Sequence, residues 1–299
     1  MDTSQSTEGG QPMNPIPKIQ YHAPITLAGA LQLLEELDKA KPIIGGTDLL
    51  IAMRQAACTP SHLVDLNRIP ELNYITEEEG YIKIGATVTH SQAASNPLIK
   101  GVPALYDAVS RIGSPQIRNR GTLTGNIVNA SPAADTACPL IVHDAEIVIK
   151  SIDDTNIIPV EDLFEGPKIN CLEPSELITE IRIPTPVENS TSAYKRIGRR
   201  QAFTLSVVSA AAYLQVEENT CVEAGFAFGS VAMTPLRVPE VEEMLKGKEL
   251  TEENIKEASE AVREYVQPIT DVRGTAEYRK DMCPVLMRRA INESLGRMR

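Results

Sequence analysis

Two adjacent glycines form the first candidate for chemistry in this sequence. They lie in the stretch IIGGTDLL, residues 43–50, where an apolar run ends at Gly45 and Gly46 and is followed by Thr47 and Asp48. Because glycine has no Cβ, a ligand can approach such a backbone closely, and the N–H groups of the turn can bind an anion. The same residue types also form plain strand-to-helix turns, with threonine or aspartate as the helix cap. Taken alone, the stretch favours a plain turn over a phosphate site.

A second glycine-bearing segment lies in SPQIRNRGTLTGNIVNASPAADTACPL, residues 114–140. Gly121 and Gly125 flank Thr122 and Thr124, and a dense set of small polar residues follows. Small hydrogen-bonding side chains suit close contact between the backbone and a polar ligand. A long surface loop is the alternative, although the alanines and aliphatic residues of the segment indicate partial burial.

The remaining composition excludes several classes of protein. The formal net charge is -11, which argues against nucleic-acid binding because phosphate backbones attract clustered Lys and Arg. The five cysteines and four histidines are dispersed without ligand spacing, so no metal site is expected in this chain. Residues 1–17 are polar and are predicted to be a disordered tail without a signal peptide. No apolar run reaches the roughly 20 residues that span a bilayer, so a cytoplasmic protein with no membrane span is expected.

The elements that must position the two segments follow from hydrophobic periodicity. Strands are predicted at 19–22, 41–44 and 62–66, with a helix that begins at Thr26 and a short helix at 48–53. Strands that alternate with helices in this way indicate a small β-α-β-α-β unit with parallel strands.

From residue 72 the pattern changes to a period of two. The alternation of YIKIGATVT at 81–89 predicts a half-buried strand, helices are predicted from Thr89 and over 102–112, and 113–134 is predicted to be rich in loops. Strands are predicted at 145–150 and 177–184, and then at 193–195 and 205–216, with 220–232 as a connection, and helices follow Thr251 and continue through Leu286. The expected fold is α+β, with a tail at 1–17 and a domain at 18–184 that is divided into a parallel subdomain at about 18–70 and a mixed α+β subdomain at 71–184. A C-terminal domain of antiparallel strands and helices is expected at 185–299.

Together, the two glycine segments resemble the flavin-binding subunit, or medium chain, of the molybdenum hydroxylases, the family of xanthine dehydrogenase and aerobic carbon monoxide dehydrogenase. The resemblance rests on IIGGTDLL and IRNRGTLTGNIVNASPAAD, in this order and at this spacing. It continues in YKRIGRRQAFTLSVVSAAA at 194–212 and DVRGTAEYRKDM at 271–282. Two long motifs in the right order are far more specific than either alone, and the similarity covers the chain from about residue 18 to its C-terminus.

The resemblance implies a fold in which FAD lies between two N-terminal subdomains and a C-terminal domain. It implies that residues 42–49 wrap the pyrophosphate and that a second glycine loop contacts the cofactor. Asp135 matches an acidic contact of the family. Lys195 matches a position where a cation could balance the pyrophosphate or the reduced flavin, and a plain solvated lysine is the alternative. The cofactor-binding residues implied in this way are Pro42, Ile43, Ile44, Gly45, Gly46, Thr47, Asp48, Leu49, Ile112, Gly121, Thr122, Leu123, Thr124, Gly125, Asn126, Asp135, Ile178 and Lys195, of which Ile112 and Ile178 would be apolar walls.

One position departs from the family pattern. The second loop of the family usually has the sequence TIGGN, whereas this chain has TLTGN, with Thr124 in place of the middle glycine. Because a β-branched residue tolerates positive φ poorly, the loop either uses an ordinary φ at this position or carries a strain of about 1–3 kcal/mol. A third alternative is that the threonine hydroxyl bonds the ligand.

The function that the resemblance implies is electron transfer within a larger complex. A molybdenum subunit would oxidise the substrate, a separate iron–sulfur subunit would relay single electrons, and FAD on this chain would collect two and pass them to NAD(P) or another acceptor. Molybdopterin and 2Fe–2S clusters are expected on those partner subunits, and no catalytic side chain is expected here. Two alternatives stay open: a scaffold subunit that has lost FAD, and a self-sufficient FAD oxidoreductase.

Overall fold

The computed structural model describes residues 18–199 and 205–298. The predicted tail at 1–17 and the middle of the motif at 194–212 lie outside the described residues. The described residues form three larger sheets and a two-stranded ribbon, and helices connect and cover them. The α+β class predicted from the sequence is therefore confirmed.

The first sheet belongs to a small β-α-β-α-β unit. Its elements are β1 (Gln20–His22), α1 (Leu27–Glu36), β2 (Ala40–Ile43), α2 (Leu49–Arg54) and β3 (His62–Asp65). The strands are parallel in the order β1-β3-β2, as predicted. Helix α1 begins where predicted because the Oγ1 atom of Thr26 accepts a hydrogen bond from the N–H of Gly29 at 3.2 Å.

The second sheet is antiparallel and carries most of the short helices. Its strands are β4 (Ile75–Glu78), β5 (Tyr81–Gly85), β6 (Glu146–Lys150), β7 (Thr155–Pro159) and β10 (Leu177–Pro184), and a ribbon is formed by β8 (Phe164–Gly166) and β9 (Ile169–Asn170). The strand order is β4-β5-β10-β6-β7. Six helices are described between β5 and β6: α3 (His90–Ser95), α4 (Pro97–Lys100), α5 (Pro103–Arg111), α6 (Pro115–Arg118), α7 (Leu123–Val128) and α8 (Ala137–Val142).

The third sheet is followed by the C-terminal helices. Its strands are β11 (Ser190–Gly198), β12 (Ser206–Glu217), β13 (Thr220–Gly229) and β14 (Leu236–Arg237), and the helices are α9 (Pro239–Leu245), α10 (Glu252–Ala261) and α11 (Ala276–Met298). All neighbouring strands in it are antiparallel, in chain order. Thr251 caps α10, as predicted, by accepting a hydrogen bond from the N–H of Asn254.

The middle region packs against both of its neighbours. Ala86 and Leu177 of the second sheet belong to the core of the first unit. Tyr194, Ala211 and Ala227 of the third sheet belong to the core that covers the second. Each region therefore contributes apolar side chains to the next, and burial of this kind holds the loops between regions in fixed positions.

Two sequence predictions need correction, and some elements were not predicted at all. The segment 220–232, predicted as a connection, is mostly strand β13, and Phe226 and Phe228 are fully buried in it. A strand covered on both faces has no polar alternation, so its period of two is hidden. The segment 113–134 contains the short helices α6 and α7 rather than loop alone. Strand β7 and helix α8 were not predicted.

Candidate cofactor site

The first glycine segment is the turn between β2 and α2. Strand β2 ends at Ile43, and the backbone then adopts a φ of +68° at Gly46, in the left-handed region that favours glycine. A Cβ at this position would also lie 3.2 Å from Cδ1 of Leu50 and 3.3 Å from Cδ1 of Ile43. Position 46 therefore requires glycine for its backbone conformation as well as for the space around it.

Gly45 lies directly against the second segment. A Cβ built on Gly45 would stand 2.2 Å from the carbonyl oxygen of Arg120 and 3.0 Å from Cα of Gly121. The side-chain amide of Asn129 also donates to Oδ1 of Asp48 at 3.1 Å. The two glycine segments that the sequence separates by some 75 residues thus meet in the structure, backbone against backbone.

The first turn leaves a row of peptide donors free. Within residues 18–199 and 205–298, the N–H groups of the five consecutive residues 45–49 donate to no protein acceptor. The turn is partly exposed, and its carbonyl oxygens are used instead: that of Ile44 accepts from Asn67 at 2.9 Å, and that of Gly46 accepts from Leu50 at 3.1 Å. Consecutive free donors of this kind suit an anion such as a phosphate group.

The second segment is a helix start rather than an open glycine loop. Thr122 caps α7, with its Oγ1 accepting from the N–H of Gly125 at 3.0 Å. Thr124 lies inside the first turn of α7, and its φ is not positive. The strained alternative for this residue is therefore excluded, and no glycine is required there. Asn126 continues the helix, and its Oδ1 accepts from the hydroxyl of Thr136 at 2.6 Å.

Two buried polar atoms of this region have no partner among the described residues. They are Oγ1 of Thr124, whose residue is 4% exposed, and Nδ1 of His90, whose residue is 2% exposed. The ring of His90 lies under Gly121, since a Cβ there would stand 3.3 Å from Cδ2 of the ring. Burial lowers the pKa of His90 to about 4, so the imidazole is neutral at pH 7. Both atoms are closed off from solvent, so the donors open to a polar ligand are the free N–H groups of the partly exposed turn at residues 45–49.

Asp135 lies in a buried network of side chains. Arg196 donates to its Oδ2 at 2.6 Å, Tyr194 donates to its Oδ1 at 2.6 Å, and the hydroxyl of Ser206 also donates to Oδ1. Burial first, and the charge of Asp135 second, hold the pKa of Tyr194 well above its usual range. Asp135 is joined to the second segment through the next residue, Thr136, which bonds Asn126.

Three further residues, Ile112, Ile178 and Lys195, are implied by the resemblance to bind the cofactor, and the structure does not place all of them on one side of the fold. Ile178 is 3% exposed and packs in the same core as Leu123 of α7, and the carbonyl oxygen of Ile112 accepts from Arg118 at 3.1 Å. The ammonium of Lys195 pairs with Glu293 on α11 at 3.0 Å. Side chains alternate along a strand, so Lys195 faces away from its neighbours Tyr194 and Arg196, which reach Asp135.

Sequence reasoning missed His90, Tyr194, Arg196 and Ser206. The pair Tyr194 and Arg196, two residues apart on a predicted strand, carried a usable signal because such residues share one face. Nothing in the sequence pattern placed the ring of His90 under the second segment. The nearest usable signal is the capping box of Thr89 and Gln92, because it predicts that helix α3 begins at His90.

The described part of the chain contains neither a membrane-spanning helix nor a cluster of metal ligands. None of its helices is both long and apolar enough to cross a membrane. No group of three or more His, Cys, Asp or Glu side chains within residues 18–199 and 205–298 is placed to hold a metal ion.

Comparison with known proteins identifies the class to which this fold and site belong. Residues 17–186 match the model of the FAD binding domain in molybdopterin dehydrogenase, and residues 192–294 match that of the CO dehydrogenase flavoprotein C-terminal domain. The chain therefore belongs to the FAD-binding family of the molybdopterin dehydrogenases. Within that family it is an FAD-binding medium subunit of the molybdenum hydroxylases, an oxidoreductase component of the carbon monoxide and xanthine dehydrogenase type.

Individual relatives agree over nearly the whole chain. The carbon monoxide dehydrogenase medium chain of Hydrogenophaga pseudoflava is 32% identical, over 94% of this chain and 98% of its own. The xanthine dehydrogenase FAD-binding subunit of Escherichia coli is 32% identical, over 92% of this chain and 96% of its own. A solved structure of carbon monoxide dehydrogenase from H. pseudoflava, which lacks the Mo-pyranopterin moiety of the molybdenum cofactor, superimposes with a TM-score of 0.91 at 32% identity, covering 95% of this chain and 99% of the other.

Proposed function

We propose that this subunit accepts electrons from an iron–sulfur subunit and passes them from FAD to NAD(P) or another acceptor. The observation that carries the proposal is the row of free N–H groups at residues 45–49, held against the second segment at Gly45. Such a turn can hold a pyrophosphate through backbone donors alone. It needs no acid, base or nucleophile on this chain, because the redox chemistry belongs to the flavin.

We propose that the two segments divide the task of holding FAD. Residues 42–49 bind the pyrophosphate through their N–H groups, and residues 121–126 close the opposite side. Asp135 positions the second segment through Thr136. Ile112 and Ile178 serve as apolar walls of the FAD site, and Ile178 packs in the same core as Leu123. When bound, FAD can exchange electrons one at a time or in pairs, so it connects one-electron transfer to two-electron transfer. The chain itself binds and orients the cofactor and keeps the phosphate-binding backbone rigid.

We further propose the chain organisation that the sequence predicts. The FAD-binding domain spans 18–184, with subdomains at about 18–70 and 71–184, and the C-terminal domain spans 185–299. The change from a parallel to an antiparallel sheet after β3 and the proline-rich stretch after β10 support these boundaries. The domain boundary at 184 coincides with the end of the strand Leu177–Pro184.

The partners are a molybdenum-cofactor subunit and an iron–sulfur subunit. The names of the relatives support this, since one is the medium chain of carbon monoxide dehydrogenase and another the FAD-binding subunit of xanthine dehydrogenase. The two relatives are equally identical to this chain, at 32%. The organic substrate is bound on another subunit of the complex.

The test uses the native complex, purified through a tag on this chain. We expect flavin, molybdenum and iron to co-purify in fixed ratios, and NADH or NADPH to reduce the flavin in an anaerobic titration followed near 450 nm. A flavin that stays oxidised with both nucleotides would remove NAD(P) as the acceptor. Isolated chain that oxidises an organic substrate without partners would establish a self-sufficient oxidoreductase instead. Isolated chain that takes up no FAD would favour a scaffold subunit.

A further inference from the structure

Lys168 lies at the tip of the two-stranded ribbon, outside both glycine segments. It follows β8 and precedes β9, and its N–H group donates to the carbonyl oxygen of Ala130 at 2.8 Å. The side-chain amide of Asn170 in β9 donates to the carbonyl oxygen of Val128 at 2.7 Å. These two hydrogen bonds fix the ribbon, and Lys168 with it, to the C-terminal end of α7.

The same end of α7 also contacts the first glycine turn. The side-chain amide of Asn129 donates to Oδ1 of Asp48 at 3.1 Å, and Asn129 is the chain neighbour of Ala130, which holds the ribbon. Lys168 is thereby placed beside the turn, and the negative charge of Asp48 acts on its ammonium. The N–H groups of residues 45–49 in that turn are free of protein acceptors among the described residues.

The ammonium of Lys168 has no counter-ion in contact with it. Within residues 18–199 and 205–298 it forms neither an ion pair nor a hydrogen bond. Partial desolvation lowers the pKa of Lys168, and the charge of Asp48 opposes this shift. Lys195, the cation that the resemblance implies for the cofactor, is instead paired with Glu293 at 3.0 Å. Lys168 is therefore the cation beside the turn that can still pair with an anionic ligand.

The charge of the first turn makes such a cation useful. Asp48 is part of the turn and forms no ion pair with another described residue. A doubly charged pyrophosphate bound there would be repelled by this carboxylate. A nearby ammonium reverses the sign of the local field, and charge-assisted contacts between lysine and phosphate are stronger than neutral hydrogen bonds.

We propose that the ammonium of Lys168 pairs with the pyrophosphate of FAD and offsets its repulsion by Asp48. Lys168 thus adds a third element, the ribbon β8–β9, to the cofactor site. This inference rests on the proposed function, because it presumes that the pyrophosphate binds at residues 45–49. The backbone donors of the turn set the position of the cofactor, and Lys168 sets the electrostatic part of its affinity.

The test compares Lys168→Gln with Lys168→Arg in the full-length chain stripped of FAD. FAD affinity is measured by the quenching of flavin fluorescence at two salt concentrations. We expect Lys168→Gln to weaken FAD binding about tenfold at an ionic strength of about 0.05 M and less than about threefold at about 0.5 M, because salt screens the lost attraction. Lys168→Arg keeps the charge, so we expect it to bind FAD within about threefold of wild type at both.

Thermal unfolding of the FAD-free variants separates binding from folding. We expect Lys168→Gln to unfold within about 2 °C of wild type, because Lys168 forms no ion pair that the substitution could break. Weaker FAD binding in this variant is then a loss of attraction for the cofactor and not a loss of structure.

A matched control removes a different lysine. Lys256 is exposed on α10, in the C-terminal helices, and changes the net charge by the same amount when replaced. We expect Lys256→Gln to leave FAD affinity within about twofold of wild type at both salt concentrations. The control separates an effect of net charge from an effect of a cation beside the turn.

A double variant distinguishes pairing with the pyrophosphate from neutralisation of Asp48. Asp48→Asn removes the carboxylate charge and keeps an oxygen that can accept from Asn129. In this background we expect Lys168→Gln to weaken FAD binding still by at least about fivefold at low salt. If the effect of Lys168→Gln disappears, the lysine acts only on Asp48 and the proposal is wrong.

A second ligand tests which part of FAD the lysine contacts. ADP contains the pyrophosphate without the flavin, and its affinity is measured by competition with FAD. We expect Lys168→Gln to weaken ADP and FAD by the same factor. If only FAD is weakened, the pyrophosphate assignment is wrong.

Further outcomes would overturn the inference while leaving the proposed function intact. FAD affinity within about twofold of wild type in Lys168→Gln at low salt would show that the ammonium does not reach the cofactor. Equal weakening in the glutamine and arginine variants, or weakening that does not depend on salt, would indicate packing rather than charge. Wild-type chain that binds no FAD would instead contradict the proposed function itself.

Discussion

The two glycine segments meet at one contact but are built differently. The first is an open turn whose Gly46 has a φ of +68° and whose peptide donors at 45–49 are free. The second is the start of α7, where Oγ1 of Thr122 accepts a hydrogen bond from the N–H of Gly125 and the side chain of Leu123 is buried. The difference shows that one segment offers backbone donors and the other supplies a rigid surface against which the first is held. A site of this kind depends on close backbone contact more than on charged side chains.

The largest effect is expected from a substitution that breaks the contact between the two glycine segments. In Gly45→Ala the added Cβ would stand 2.2 Å from the carbonyl oxygen of Arg120, so the two backbones must separate. We expect FAD affinity to fall more than about 100-fold and the free energy of unfolding to fall by about 3–5 kcal/mol. Flavin content after gel filtration and denaturant unfolding measure the two effects.

The control for this change is Gly296→Ala. A Cβ there meets nothing within 4 Å, and the residue lies in helix α11. We expect normal flavin content and a slight gain in stability, because alanine favours a helix over glycine by about 1 kcal/mol. Gly45→Ala protein that retains FAD at wild-type affinity would show that the close contact does not matter.

A smaller effect is expected behind the second segment, in the buried network of Asp135. Asp135→Asn removes the negative charge that pairs with Arg196 at 2.6 Å while keeping the shape. We expect the free energy of unfolding to fall by about 3 kcal/mol, because a buried carboxylate that accepts hydrogen bonds from Arg196, Tyr194 and Ser206 is lost. Urea unfolding of the FAD-free protein measures this loss.

The control pair for Asp135 lies at the surface. Asp144 pairs with Arg237, and the side chain of Asp144 is 69% exposed. We expect Asp144→Asn to cost less than about 1 kcal/mol. Similar losses in both variants would show that the network around Asp135 is no more than an ordinary surface pair.

The pH dependence of stability tests the neutral histidine under the second segment. Burial lowers the pKa values of His90 and His143 to about 4, against an ordinary value of 6.5. The unfolded chain therefore binds more protons between these values, and stability falls as the pH falls from about 6.5 towards 4. At pH 5 we expect each histidine to contribute a loss of about 2 kcal/mol relative to pH 7.

Single substitutions show how much of this pH dependence each histidine causes. His90→Gln and His143→Gln should each remove about half of the difference in unfolding free energy between pH 7 and pH 5. His143 serves as the comparison because its Nε2 is paired with Ser192 at 2.9 Å, away from the two glycine segments. An unchanged pH profile in His90→Gln would mean that this histidine is accessible or already protonated.

The smallest effect concerns Lys195. Its ammonium pairs with Glu293 at 3.0 Å on the side of β11 that faces α11. From this geometry we expect Lys195→Met to change FAD affinity by less than about twofold and stability by less than about 1 kcal/mol. Weakening of FAD by tenfold or more would instead support the contact that the family resemblance implies for this lysine.

Much of the fold could be predicted from the sequence where the pattern was local. The parallel unit, the caps at Thr26 and Thr251 and the strand at 177–184 depend on periodicity and on capping residues, which the sequence contains. Strand β13 could not be predicted in this way, because burial on both faces removes the polar alternation.

The candidate site, too, could be predicted only where the sequence signal was local. The two glycine motifs were recognised from their residues, and their meeting at Gly45 and Arg120 agrees with the paired loops that the resemblance implies. The partners of Asp135 come from 59 to 71 residues further along the chain, so no local pattern could assign them. The conformation of Thr124 was also beyond the sequence, since a glycine-rich segment can form either a loop with positive φ or the start of a helix.

Amide hydrogen exchange of residues 45–49 is the most direct test of the claim that backbone donors of the first turn hold FAD. These N–H groups have no acceptor within the described part of the protein, so we expect fast exchange in the FAD-free chain. On addition of saturating FAD we expect all five to slow by at least about tenfold, while exchange in α10 stays unchanged. Equal exchange rates at residues 45–49 with and without bound FAD would contradict the claim.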